Sequence, residues 1–153
     1  MKILFLTQFF DPEPTFKGLY FAKALMKRGH KVVVLTGFPN YPGGKIYPGY
    51  NIKPVKIEKK EGIKIIRVAL YPSHDKSSLK RSANYLSFMA SSVFFGLLLS
   101  GRPDVIYCYH PPATAGIAAA ILSRVKGVPF VYDIQDLWPD SVATTGMINN
   151  NFF

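Results

Sequence analysis

Hydrophobic and polar positions alternate in blocks along this chain, and the blocks have two different periods. Lys2–Phe10 is a near-continuous apolar run, the pattern of a strand covered on both faces. Thr15–Arg28 places Phe16, Leu19, Tyr20, Ala24 and Leu25 on one side, with Lys17, Lys23, Lys27 and Arg28 between them, which predicts an amphipathic helix. Gly29-His30 ends it, with a glycine at the C-cap and cations in the last turn. Lys31–Thr36 is a second buried strand, so the first 36 residues form a βαβ unit with a parallel pairing. Gly37–Tyr50 carries three prolines, three further glycines and four aromatics; flexible linkers lack aromatics, so this is an ordered loop. Ile52–Lys60 and Ile63–Leu70 predict either a hairpin or two consecutive strands around Glu61-Gly62, and Tyr71–Lys80 a second loop. Ser82–Gly101 predicts a helix, Val105–Tyr109 a strand, Ala113–Lys126 a small-residue helix and Phe130–Ile134 a last strand, with a loop opening at Asp136–Asp140. This order is that of a doubly wound α/β sheet.

Composition narrows the class. The 153 residues, 48% of them apolar, fit one domain, read as residues 1–148 with a tail at 149–153. The single cysteine, Cys108, excludes a disulfide framework, and three dispersed histidines do not make a metal site. The N-terminal apolar run is followed at once by Asp11, Pro12 and Glu13 without a small-residue cleavage site, so it reads as a strand of a cytoplasmic protein rather than a leader. The net charge is +10, and nine of the nineteen Lys and Arg lie between Lys53 and Arg81. Such an excess either marks an anionic partner or is a set of solvated faces. No helix-turn-helix, ribonucleoprotein or zinc-finger pattern is present, which argues against nucleic acid. Ser82–Gly101 holds no charged residue and is about long enough to span a bilayer, but Asn84 and five serines interrupt it. A helix that packs on the sheet and touches a membrane surface fits that mixture better than a span.

In an open parallel sheet, ligands bind outside the carboxyl ends of the strands. Four loops are expected to line that rim: Phe10–Gly18, Gly37–Tyr50, His110–Thr114 and Gln135–Asp140. The first has neither G-x-G-x-x-G nor a Walker lysine motif, which argues against a dehydrogenase or an NTPase. Gly18 either lets a phosphate approach the helix N-terminus or packs helix on strand. Asp11 and Glu13 either bind sugar hydroxyls or cap the helix. His110, directly after a buried strand, either orients a substrate or caps the next turn. His30 and His74 read as structural. Asp133, Asp136 and Asp140 fall within eight residues around Trp138, whose ring face suits sugar C–H surfaces or lipid. Asp136 is a candidate hydroxyl acceptor or base.

Several stretches resemble the N-terminal domain of glycosyltransferase family 4. They are Met1–Phe10, Lys27-Arg28-Gly29-His30-Lys31-Val32, Thr36-Gly37-Phe38-Pro39-Asn40-Tyr41-Pro42, Lys45–Tyr50, Leu70–Asp75 and Asp133–Ser141. The resemblance is strongest to the subgroup acting in O-antigen, capsule and colanic-acid-type polysaccharide assembly. It implies a Rossmann-like three-layer αβα sandwich with a mostly parallel sheet, the N-terminal half of a GT-B enzyme. It further implies a retaining transfer from a nucleotide-sugar donor to a lipid-linked or other saccharide acceptor, with no bound metal or cofactor. The donor would be held mainly by a C-terminal domain that this sequence does not include, so the chain alone is expected to be inactive. The alternative is a non-catalytic, membrane-docking subunit that presents acceptor to a separate catalytic chain. Carried over residue by residue, the resemblance implies catalytic roles for His110 and Asp136. It implies substrate contacts at Glu13, Gly18, Phe38, Asn40, Tyr41, Gly43, Gly44, Tyr109 and Trp138. The family's paired glycines after the first strand are represented only by Gly18. Aligned on Asp104 and Pro111, the family's histidine falls on Tyr109, with His110 at the following acidic position. The Lys53–Arg81 cations and the apolar helix would face an anionic membrane surface, peripheral on the inner face of the plasma membrane.

Overall fold

The computed structural model describes residues 1–74 and 77–135. Six strands form one sheet: β1 (Lys2–Thr7), β2 (Lys31–Gly37), β3 (Val55–Lys60), β4 (Ile63–Val68), β5 (Val105–Tyr109) and β6 (Phe130–Asp133). Their spatial order is β3-β4-β2-β1-β5-β6, and every pairing is parallel except β3 with β4. Three helices connect them: α1 (Leu19–Lys27), α2 (Ser78–Leu99) and α3 (Ala113–Lys126).

Side chains alternate across the strands, and each face has its own core. Leu4, Leu6, Leu35, Ile66, Val68, Ile106 and Cys108 pack with Phe88 of α2 and Ala115, Ala118, Ala119 and Leu122 of α3. Phe5, Val32, Val34, Ile63, Ile65 and Tyr109 pack with Leu19 and Ala22 of α1. β1, β2 and β5 therefore read as continuous apolar runs because helices cover both sides. This is the three-layer αβα sandwich expected from the sequence.

Of the two readings of Ile52–Leu70, the hairpin forms. Glu61 and Gly62 both take left-handed φ angles, +49° and +85°, and Lys60 pairs with Ile63 across them. Two helix starts differ from the sequence reading. α1 begins at Leu19 rather than Thr15, because the Asp11 carboxylate accepts the Leu19 N–H at 2.5 Å and fixes the first turn there. α2 begins at Ser78 rather than Ser82, with Ser77 as its N-cap and Lys80 and Arg81 in its first turns. The charge-free window marked the apolar part of α2, not its boundary. At its other end α2 has no cation of its own, and Lys64 and Lys126 donate to the Leu99 and Leu97 carbonyls at 2.9 and 3.1 Å.

Candidate functional site at the carboxyl rim

The parallel strands end together. Thr7 of β1 lies beside Tyr109 of β5, which lies beside Asp133 of β6, and Gly37 of β2 lies beside Val68 of β4. The loops after β1, β2, β4 and β5 therefore rise from one edge. Two groups of polar side chains support them.

The first group lies under β1, β2 and β4. Glu13 is 4% exposed, and its carboxylate accepts the backbone N–H groups of Asn40 and Tyr41, both at 2.8 Å, and of Phe10 at 3.1 Å. It joins the loop after β1 to the loop after β2. Burial pushes its pKa above the usual range, against the opposing pull of those three bonds and of the Arg67 charge. Arg67, 1% exposed, donates to the Asp11 carbonyl at 2.5 Å, the Gly37 carbonyl at 3.2 Å and the Glu58 carboxylate at 2.7 Å. Beside it, Gln8 donates to Asn84 at 2.5 Å, and Asn84 donates to the Tyr71 carbonyl at 2.7 Å and to Asn40 at 3.3 Å. The network links α2 to three rim loops. Gly44 sits at φ +67°, and an added Cβ would lie 2.4 Å from the His74 backbone nitrogen. Only glycine lets the loop after β2 press so closely on the loop after β4.

The second group lies at β5 and β6. Lys17 reaches from the loop after β1 to donate to Asp133 and, at 2.9 Å, to the Tyr107 hydroxyl; Tyr107 also donates to Asp133. The ammonium stands 5.2–5.6 Å from the ring centres of Tyr109, Phe21 and Tyr107. Burial raises the pKa of Asp133, but the hydrogen bonds from Lys17 and Tyr107 outweigh it and hold the carboxyl below the usual range. Its contribution to stability is therefore complete above about pH 4 and is lost as pH falls through the lowered folded value. Asp133→Asn is expected to remove that part of the acid-side decline, read as a flatter dependence of urea midpoint on pH below pH 4 than in the wild type.

The structure assigns the sequence-selected residues to different tasks. Glu13, Asn40, Tyr41 and Gly44 meet in the first group. Gly18, Tyr109 and His110 lie near the second. Phe38 is fully buried and packs in the interior, so the exposed part of its loop starts further on, with Tyr41 half-buried and Gly43 exposed. Gly18 makes room for a carboxylate: an added Cβ would lie 2.1 Å from Asp11 Oδ2. Asp11 caps the helix: its carboxylate accepts the Leu19 N–H at 2.5 Å. His110 is 8% exposed, its N–H donates to the Asp133 carbonyl at 3.0 Å, and its ring lies edge-on to Tyr132 at 6.2 Å. Asp136 and Trp138 lie outside the described residues. No group of three potential metal ligands occurs among the described residues.

Sequence reading passed over Arg67, Lys17, Tyr107, Gln8 and Asn84. A signal existed for Arg67. Pairing outward from Glu61-Gly62 sets Lys56 opposite Arg67 and puts Glu58 diagonal to it, so an inward-facing arginine has its carboxylate in the same hairpin.

Comparison with known proteins agrees with this architecture. The family model for the glycosyl transferase 4-like domain matches residues 19–148. WcaI of Escherichia coli (strain K12), named as a colanic acid biosynthesis glycosyl transferase, is 32% identical over 153 residues. That match covers 96% of this chain and 37% of WcaI, so the chain spans little more than a third of this relative's length. In fold, the chain is similar to the Escherichia coli trehalose-6-phosphate structure bound with UDP-2-fluoro glucose. The TM-score is 0.52 and the identity 17%, over 84% of this chain and 31% of that one. The chain belongs to the glycosyl transferase 4-like family, with the Rossmann-like fold of a GT-B N-terminal domain.

Proposed function

We propose that this chain is the acceptor-side half of a retaining glycosyltransferase that builds cell-surface polysaccharide on the cytoplasmic side of the membrane. A nucleotide sugar is the donor, held mainly by a second domain, and a lipid-linked saccharide is the acceptor. The observation that carries this reading is the convergence of the rim loops on two buried polar groups, one around Glu13 and Arg67 and one around Lys17 and Asp133. A rim made rigid from below suits a site that must hold a flexible saccharide in one orientation. In this reading Tyr41, Gly43 and Gly44 contact the acceptor, while Tyr109 and His110 lie nearest the transferred sugar. Glu13, Asn40 and Gly18 act by shaping the loops.

The test is an NMR titration of the chain with an alkyl-diphosphate-linked monosaccharide and, separately, with UDP-sugars. The acceptor analogue is expected to shift amides of residues 13–18, 41–44 and 110–114, and the UDP-sugars to leave them unmoved. Joining the chain to the remaining length of WcaI is expected to give glycosyl transfer that the chain alone lacks. Transfer by the chain alone, or acceptor shifts confined to residues away from the rim, would sink the proposal.

A further inference from the structure

The amino-terminal edge of the sheet, opposite the rim, carries a cavity of about 260 Å³ whose lining includes Lys2, Leu4, Lys31, Val33, Arg102 and Pro103. Strand alternation gathers its cations. Leu4 and Leu6 of β1 face α2 and α3, and Lys2 falls on the same side. Val33 and Leu35 of β2 face the same helices, and Lys31 follows them. Lys2 and Lys31 are partners in the pairing of β1 with β2, so two ammonium groups leave the sheet side by side, and Arg102, just past the end of α2, adds a third cation. Like charges on neighbouring strands repel. The carboxyl end of α2 does not account for them. It carries only about half a charge, and Lys64 and Lys126 already donate to the Leu99 and Leu97 carbonyls there, with Lys126 also reaching Gly101 at 2.8 Å. Among the described residues, the side chains of Lys2, Lys31 and Arg102 form no ion pair with a carboxylate. Asp104 lies close by, and its carboxylate accepts the Lys2 backbone N–H at 2.6 Å.

We propose that this cavity binds a small soluble phosphomonoester, with the phosphate on Lys2, Lys31 and Arg102 and its organic stem against Leu4, Val33 and Pro103. Against Asp104 the three cations leave a surplus of two charges, which matches the dianion of a phosphate monoester near neutral pH. The arginine fork can hold two phosphate oxygens while the lysines act as point charges. The apolar wall suits carbon rather than a bare ion. The volume lies below the roughly 300–1,000 Å³ of sites for drug-sized ligands, so it suits a stem of a few carbons rather than a nucleotide. A recess lined by cations also fits a free ion better than a headgroup fixed in a flat layer. The cavity sits at the starts of β1 and β2, whereas the rim lies at their ends, so this ligand competes with neither acceptor nor donor. The inference therefore does not rest on the acceptor reading.

The test is an NMR titration of the chain with glycerol 3-phosphate at low ionic strength, with glycerol as the neutral control. Amides of residues 2–4, 31–33 and 100–103 are expected to shift and saturate, those of residues 13–18 and 41–44 to stay in place, and glycerol to move none of them. Lys31→Gln with Arg102→Gln is expected to raise the Kd about tenfold or more. Both side chains are exposed, so without phosphate the double variant is expected to keep the urea midpoint of the wild type or raise it, because a repulsion is relieved. A lowered midpoint would give the cations a structural role and overturn the proposal. So would an absence of shifts into the millimolar range, an unchanged Kd in the double variant, or the same shifts with sodium chloride at matched ionic strength, which is screening only. Binding to phosphatidic acid vesicles by a chain that ignores glycerol 3-phosphate would overturn it too, since that outcome assigns the cations to lipid.

Discussion

Arg67→Met is expected to lower stability by about 3–5 kcal/mol, the range for removing one member of a buried ionic group. The guanidinium is 1% exposed and serves three acceptors from three parts of the chain. Methionine fills much of the volume but donates nothing. The Asp11 and Gly37 carbonyls then lose a donor in the interior, at roughly 1–3 kcal/mol each. Glu58 loses less, because it is partly open to water and keeps Lys56 at 3.2 Å. The exposed pair Lys23–Glu61 gives the contrast: both side chains are more than 40% exposed, and Lys23→Met is expected to change stability by less than about 1 kcal/mol. Urea denaturation followed by circular dichroism reads both. Burial raises the pKa of Glu58, but the Arg67 bond and charge, helped by Lys56, bring it below the usual range. That contribution is present above the unfolded value and lost as pH falls, so Arg67→Met should also flatten the acid-side decline. An Arg67→Met variant within 1 kcal/mol of wild type would show that the two carbonyls find other donors.

The parts of this fold that were legible in the sequence are those whose information is local. β1, β2 and β5 show themselves as apolar runs because both faces of the sheet are covered. The hairpin shows itself because Gly62 supplies one of the two positive φ angles its two-residue turn needs, between two strand-like runs. The rim loops follow once the sheet is parallel. The polar groups beneath the rim are built from residues far apart in sequence. Lys17, Tyr107 and Asp133 come from a loop and two strands, and nothing in the local pattern of any one of them points to the others. Phe38 shows the complementary error. Its neighbours Asn40 and Tyr41 belong to the rim, and adjacency in a motif suggested that it did too, but the residue after a strand end can still point into the core. Lys80 and Arg81 hid the start of α2 for a different reason. Cations oppose the helix dipole in a first turn, yet exposure makes the cost small and the Ser77 cap sets the boundary.

Glu13→Ala is expected to show how much of the rim depends on one side chain. The carboxylate satisfies the N–H groups of Phe10, Asn40 and Tyr41, and alanine leaves all three without it, for a loss of about 3 kcal/mol or more. The loss should be concentrated in place. Amide exchange is expected to quicken at Phe10, Asn40 and Tyr41 while β1 and β2 keep their protection, because the strands pair with each other and not through Glu13. The pH dependence has the opposite sign to that of Asp133 and Glu58. Burial raises the Glu13 pKa, so the folded state holds that proton more tightly than the unfolded chain. Its contribution is complete below the unfolded value and is lost as pH rises through the folded one, so Glu13→Ala should cost more near pH 4 than near pH 7. The effect should also overlap with that of Arg67. Both residues hold the loop after β1, Arg67 at the Asp11 carbonyl and Glu13 at the Phe10 N–H, and their charges attract. Once either is gone that loop is already loosened, so the double variant should lose less than the two single losses combined. Strict additivity would mean that the two residues stabilise separate structures and that the rim has no common foundation.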